Sequence, residues 1–242
     1  MINITNEHIK RLKIIKQKYL GKTSVPKLNN WKSWSNNDIW LHVISQIISV
    51  GNAKPAEKFN ESPMLIKLVS YNRILKIKNN KRQLERNINY VLREVGAKWV
   101  SKSLKKCRKT QAIVHNFKIL SSHKNGPKGL LKRIYNLKGL NADKRRVKYL
   151  MSIFKFIKSK GSRDFLMELG LVQEAIALDV RVQNTLKKIG IKLPKGFENN
   201  PKLYDKIETE LLLKLCKPLK LSGIQLDRMI FQNYDKIMDM KN

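Results

Sequence analysis

Trp40, Val43, Ile44, Ile47 and Ile48 recur at i, i+3, i+4, i+7 and i+8, an apolar stripe along one face of a helix. Asn36, Asn37 and Asp38 stand just before it as candidate N-terminal caps, and Gly51 follows its end. A second stripe runs through Val147, Leu150, Met151, Phe154 and Ile157. A third holds Phe165, Leu166 and Leu169, with Gly170 as its C-terminal stop. A further helix is predicted over 202–216, ending before Pro218. The last starts near Ser222 and carries Ile224, Leu226, Met229 and Ile230. Loop signals fall at Val25–Pro26, at His123–Gly129 and at Leu193–Pro201, and no alternating strands with hairpin turns appear. The pattern predicts an all-α chain of two helical lobes sharing one cleft, with chain ends and middle interleaved.

Length and composition allow a real core: 242 residues, 42% of them hydrophobic, exclude a disordered tail. Charge changes the picture more. The formal net charge is +33, from 51 basic and 18 acidic residues, and such an imbalance calls for a polyanionic partner, nucleic acid foremost. Residues 101–150 carry 15 Lys or Arg against the single acid Asp143, which marks the middle of the chain as phosphate-facing. Some of these lysines serve only solubility. The two cysteines, Cys107 and Cys216, make neither a disulfide framework nor a four-thiolate cluster. None of the four histidines, His8, His42, His115 and His123, pairs at metal-ligand spacing, so no metal or other cofactor is expected. His42 reads as a packed or surface side chain. Phosphate-binding glycine loops and a nucleophile elbow are also missing from the sequence. No apolar run reaches the roughly 18 residues of a membrane span, and the N-terminus carries no apolar signal core. An intracellular protein without membrane contact is expected.

Candidate chemistry lies in KGSRDFLMELGLVQEAIALDVRV, residues 160–182, where Asp179 follows Lys160 by nineteen residues. A neutral lysine amine forms a Schiff base with an aldehyde-like carbon, and nearby cations favour the neutral form. Lys155, Lys158 and Arg163 supply such neighbours. Asp179 ends the apolar run Ala175–Leu178, where a lone carboxylate needs a cap, a partner or a task. On spacing alone the plainer reading is that Asp179 caps a helix over 180–189 and Lys160 is one surface lysine among many.

The stretch is similar to the core of the helix-hairpin-helix DNA glycosylase superfamily, which includes endonuclease III and the 8-oxoguanine glycosylases. It looks most like the small archaeal 8-oxoguanine enzymes. Lys160, the small residue at 162, Phe165, Leu166 and Gly170 match, and Ala177-Leu178-Asp179-Val180-Arg181-Val182 resembles the aspartate segment. Residues 38–58 resemble the family's early helix and following loop, and Leu226–Phe231 its closing helix. The resemblance implies a bifunctional glycosylase and lyase on damaged double-stranded DNA, monomeric and free of metal, with Lys160 as nucleophile and Asp179 stabilising the sugar cation. It brings forward Gln46, Ser49, Asn52, Asp227 and Phe231 at the base pocket or inserted in DNA. Lys155, Lys158, Gly161, Arg163 and Arg181 are implied at phosphates. Trp40 and Trp99 are lesser aromatic candidates, Trp40 reading better as core. One glycosylase fold would span 1–242, with lobes over 30–130, continuing through the hairpin to about 190, and over 1–30 plus 190–242. One departure stands out: the family reads Leu-x-Gly-x-Gly before the lysine, and this chain reads Phe154-Lys155-Phe156-Ile157-Lys158-Ser159. A competing register at Leu137-Lys138-Gly139-Leu140-Asn141 would make Lys144 the nucleophile; the residues after Lys160 match better.

Overall fold

Ser35, one residue ahead of the expected caps, starts the first predicted helix: its hydroxyl accepts from the Asp38 N–H and the Asp38 carboxylate returns to the Ser35 N–H. Asn36 and Asn37, two of the expected caps, act on other helices. Asn37 Oδ1 accepts from Tyr71 N–H and Asn36 Oδ1 from Lys128 N–H, each at 2.9 Å, so two amides at the starts of neighbouring helices are satisfied from this one turn.

The structure, a computed structural model, describes residues 2–240. It is helical throughout, with no strand among the described residues. In chain order the helices are α1 (Asn6–Tyr19), α2 (Asn36–Ile48), α3 (Lys54–Asn60), α4 (Pro63–Leu68), α5 (Tyr71–Lys76), α6 (Lys81–Glu94), α7 (Arg108–Ser122), α8 (Pro127–Tyr135), α9 (Ala142–Ile153), α10 (Ser159–Glu168), α11 (Val180–Lys188), α12 (Pro201–Leu211) and α13 (Gly223–Met238). Pro127 and Pro201, read from the sequence as loop residues, occupy the first turns of α8 and α12, where a missing N–H has no intrahelical partner to lose. No helix among the described residues is long and apolar enough to cross a membrane.

Two compact units form, one from 29–158 and the other from 1–28 with 159–242. Residues 159–190, assigned from the sequence to the middle lobe, thus belong with the termini. In the first unit α2 is the centre. Its stripe is buried throughout, against α7, α5 and α8, and the Trp40 indole donates to Val69 O at 2.7 Å, so Trp40 is core. In the second unit α11 and α13 pack together over Val182, Leu186, Leu226, Met229 and Ile230, with Leu12, Ile15 and Tyr19 of α1 in the same core.

The stripe predicted to continue through Ile157 breaks at Ile153. Phe154 and Ile157 are buried, but Phe154 is extended, with ψ 139°, and Phe156 has φ 65°. Asn116, fully buried on α7, explains the break. Its side chain accepts from Lys155 N–H at 2.8 Å and donates to Lys155 O at 3.0 Å, taking the backbone out of the helix. Phe156 thus lies in the left-handed region that glycine favours. That conformation costs a β-carbon residue about 1–2 kcal/mol, and two hydrogen bonds from one buried amide, each worth about 1 kcal/mol, offset it.

Candidate active site

The segment between α10 and α11 is non-helical and, apart from Gln173 and the exposed Glu174, apolar and buried up to Leu178, so its backbone N–H groups need partners from elsewhere. Gly170, with φ 64°, ends α10 as expected, and Leu171 N–H returns to Leu166 O. Three side chains then pin the stretch before Asp179. Ile176 N–H donates to Glu208 Oε1 at 2.8 Å, Ala177 N–H to Asp227 Oδ2 at 2.8 Å, and Leu178 N–H to Tyr204 Oη at 2.7 Å. The Tyr204 hydroxyl donates in turn to Ile176 O at 3.1 Å. Gly223, at the start of α13, lies so close that a Cβ there would meet Ala175 O at 2.5 Å, and Ile224 N–H donates to Gln173 O.

This pinned segment delivers Asp179 as the N-cap of α11, where Oδ1 accepts from Val182 N–H at 2.9 Å and the carboxylate faces the positive helix end. Lys160 lies in the first turn of α10, in the same unit, half-exposed. Among the described residues the carboxylate within ion-pair distance of Lys160 is Asp164, at 4.0 Å, and not Asp179. Asp164 in turn pairs with Arg228 at 3.0 Å, and Arg228 reaches Glu168 at 3.2 Å and Asp227 at 3.7 Å. A chain of contacts therefore runs from Lys160 through Asp164 and Arg228 to Asp227, whose other oxygen holds the Asp179 segment.

Asp227 was expected at a base pocket. It is buried and held on Ala177, and burial, opposed by Arg228 and reinforced by Asp164 and Asp179, pushes its carboxyl up to about 8 from an ordinary 3.8. The folded protein then keeps a proton that the unfolded chain has released. Its contribution to stability is complete below pH 3.8 and is lost as pH rises to about 8. Asp227→Asn keeps an acceptor for Ala177 and removes the titration. Urea unfolding across that window is expected to show the wild type losing stability relative to the variant as pH rises; parallel curves would rule the assignment out.

Arg163, implied at a phosphate, is not available to one. It is 1% exposed, bound to Glu208 through Nε at 2.8 Å and Nη2 at 2.7 Å, to Asp205 at 2.7 Å and to Ser159 O at 2.9 Å, with its guanidinium 4.2 Å from the Tyr204 ring centroid. Nor does it act as a bare cation beside Lys160, because two carboxylates neutralise it. Lys155 and Lys158 are exposed and Gly161 half-buried. Arg181 is exposed and lies over the exposed Phe231 ring at 4.3 Å, which brings those two together two residues beyond Asp179.

Gln46, Ser49 and Asn52 lie in the other unit, at the end of α2 and the turn after it. The Ser49 hydroxyl donates to Gln46 O and the exposed Asn52 side chain accepts from Lys54 N–H. Lys109, which sequence reading missed, is fully buried beneath this turn. Its ammonium donates to Ile48 O at 3.1 Å and Val50 O at 2.9 Å, and burial lowers it to about 8. Trp99 covers Gly51, where a Cβ would lie 2.6 Å from the indole. Lys144 sits in the first turn of α9, after a connection in which Gly139 and Asn141 have φ 97° and 58°. Among the described residues no three His, Cys, Asp or Glu side chains are arranged to hold a metal ion.

No protein-family model and no curated protein matches the chain. Solved structures do. The 8-oxoguanine DNA glycosylase of Thermotoga maritima superposes with a TM-score of 0.57 at 19% identity, over 93% of this chain and 89% of that one. The 8-oxoguanine DNA glycosylase of Methanocaldococcus jannaschii gives 0.61 at 15% identity, over 94% and 96%. A structure of the 8-oxoguanine glycosylase/lyase of Methanocaldococcus jannaschii in complex with a 15mer DNA containing 8-oxoguanine gives 0.57 at 17%, over 95% and 96%. The chain shares their helical fold along nearly its whole length.

Proposed function

We propose that the protein is a DNA glycosylase with lyase activity that removes an oxidised purine, 8-oxoguanine first among them, through a Schiff base on Lys160. The observation that carries the reading is the placement of Asp179: a carboxylate at a helix start, on a segment pinned by three buried side chains, in one compact unit with Lys160. The fold shared with 8-oxoguanine glycosylases supports it, as does the charge of +33.

The damaged nucleotide leaves the base stack, since its sugar carbon is out of reach within the duplex. The neutral Lys160 amine attacks C1′. The new N–C1′ bond forms as the bond from C1′ to the base breaks, and the base departs with the bonding electrons and takes up a proton. Asp179 accepts the amine proton and stabilises positive charge developing on the sugar. Opening of the sugar gives an iminium between Lys160 and C1′. Loss of a proton from C2′ then expels the 3′ phosphate, which cuts the strand. In this reading Arg181, stacked over Phe231, meets phosphate or base. Lys155, Lys158 and other cations between 102 and 160 bind phosphates without reading sequence.

Borohydride trapping on duplexes carrying single lesions tests the reading. A covalent adduct is expected with 8-oxoguanine and none with undamaged DNA. Base release without an adduct would make the enzyme monofunctional. Release only of uracil, mismatched thymine or an alkylated base would change the substrate. Salt-dependent binding with no release from any lesion would leave a non-catalytic binding module.

A further inference from the structure

Three cations converge on one tyrosine in the unit formed by 29–158. Lys32 Nζ lies 5.7 Å from the centroid of the Tyr135 ring, Lys138 Nζ 5.6 Å and the Arg146 guanidinium 5.7 Å. Each pair of charges therefore lies within twice that distance. Arg146 has a partner in Asp143, at 3.2 Å. Lys32 and Lys138 are exposed, and among the described residues neither has a carboxylate within ion-pair distance.

The groups stand on a fixed backbone. Arg146 Nη2 donates to Tyr135 O at 3.0 Å, Arg145 donates to Lys138 O, and Lys128 Nζ donates to Lys32 O at 3.2 Å. The Tyr135 ring packs on the buried Trp31, centroids 6.1 Å apart. The electron-rich ring face draws the cations in, while their mutual repulsion raises the local positive potential. What relieves such a cluster is an anion with several charges at close spacing. A duplex offers one charge per about 1.7 Å of its axis, on oxygens that accept from ammonium and guanidinium alike.

We propose that Lys32 and Lys138, gathered with Arg146 on Tyr135, form a surface that binds the phosphodiesters of a duplex. The choice of duplex DNA rests on the glycosylase reading. The surface belongs to the other compact unit from Lys160 and Asp179. It assigns work to particular members of a basic region that charge alone leaves undivided.

The test is the salt dependence of binding to an undamaged duplex, by fluorescence anisotropy. Each phosphate contact contributes about 0.9 to the slope of log affinity against log salt, so Lys32→Gln with Lys138→Gln should lower the slope by about 2. Lys13→Gln with Lys202→Gln removes the same charge from exposed positions in the other unit and is expected to change the slope by less than half as much. Equal changes in the two pairs, or none in either, would overturn the proposal. Circular dichroism of both pairs confirms that they fold. The measurement needs no lesion and no turnover. No adduct and no base release from any lesion would sink the glycosylase reading and leave this surface standing, and equal slopes would do the reverse.

Discussion

Lys160→Gln is expected to abolish the borohydride-trapped adduct on 8-oxoguanine duplex and to lower strand cleavage by about a thousandfold or more, as loss of a nucleophile does. Lys144→Gln is expected to leave the adduct in place. Lys160 is half-exposed and its partner is one turn away on the same helix, a pair worth little to folding. The variant should therefore melt like the wild type, and the loss should lie in the chemistry alone. Asp179→Asn is expected to slow base release by on the order of a hundredfold, since a neutral cap still accepts from Val182 N–H but no longer stabilises a sugar cation. An adduct that survives Lys160→Gln but not Lys144→Gln would move the nucleophile to α9, while leaving the role of Asp179 intact.

Much of this fold was legible because its signals are local. The stripe of α2, the stop at Gly170 and the start of α13 at Ser222 each follow from residues within one or two turns, and the structure has them there. Asp179 was legible for a related reason: a carboxylate that closes an apolar run just before a helix is well suited to cap it. What was not legible depends on residues far apart in sequence. The stripe that overran α9 kept its apolar spacing through Phe154 and Ile157, and only Asn116, almost forty residues away, shows why the helix stops. Arg163 was given to phosphate by the resemblance. Its partners, Asp205 and Glu208, lie more than forty residues on. A hint was available in Tyr204 and Glu208, four apart on the face that also carries Ile207 and Leu211, since polar groups on an apolar face need partners. Asp227 was read from resemblance as a pocket residue, and its bond to Ala177 could be found only by folding the chain.

Those same buried partners make Arg163→Met the substitution with the largest expected effect on stability. Removing the guanidinium leaves Glu208 as an uncompensated buried charge and takes a donor from Ser159 O, a change that costs about 3–5 kcal/mol in buried ion pairs. Asp205 contributes little to that cost, being part-exposed and able to turn to water. The damage should spread to the site, because Glu208 Oε1 also holds Ile176 N–H, three residues before Asp179. Urea unfolding should show the loss, and base release should fall with it. Adding Glu208→Gln to Arg163→Met is expected to recover most of the stability, since the amide oxygen can still accept from Ile176 while the stranded charge is gone. A single variant that loses under about 1 kcal/mol, the range of an exposed pair, would show that the charge was never buried. A double variant no more stable than the single would show that the arginine acts by packing on Tyr204, and that the pinning of the Asp179 segment does not depend on the charge of Glu208.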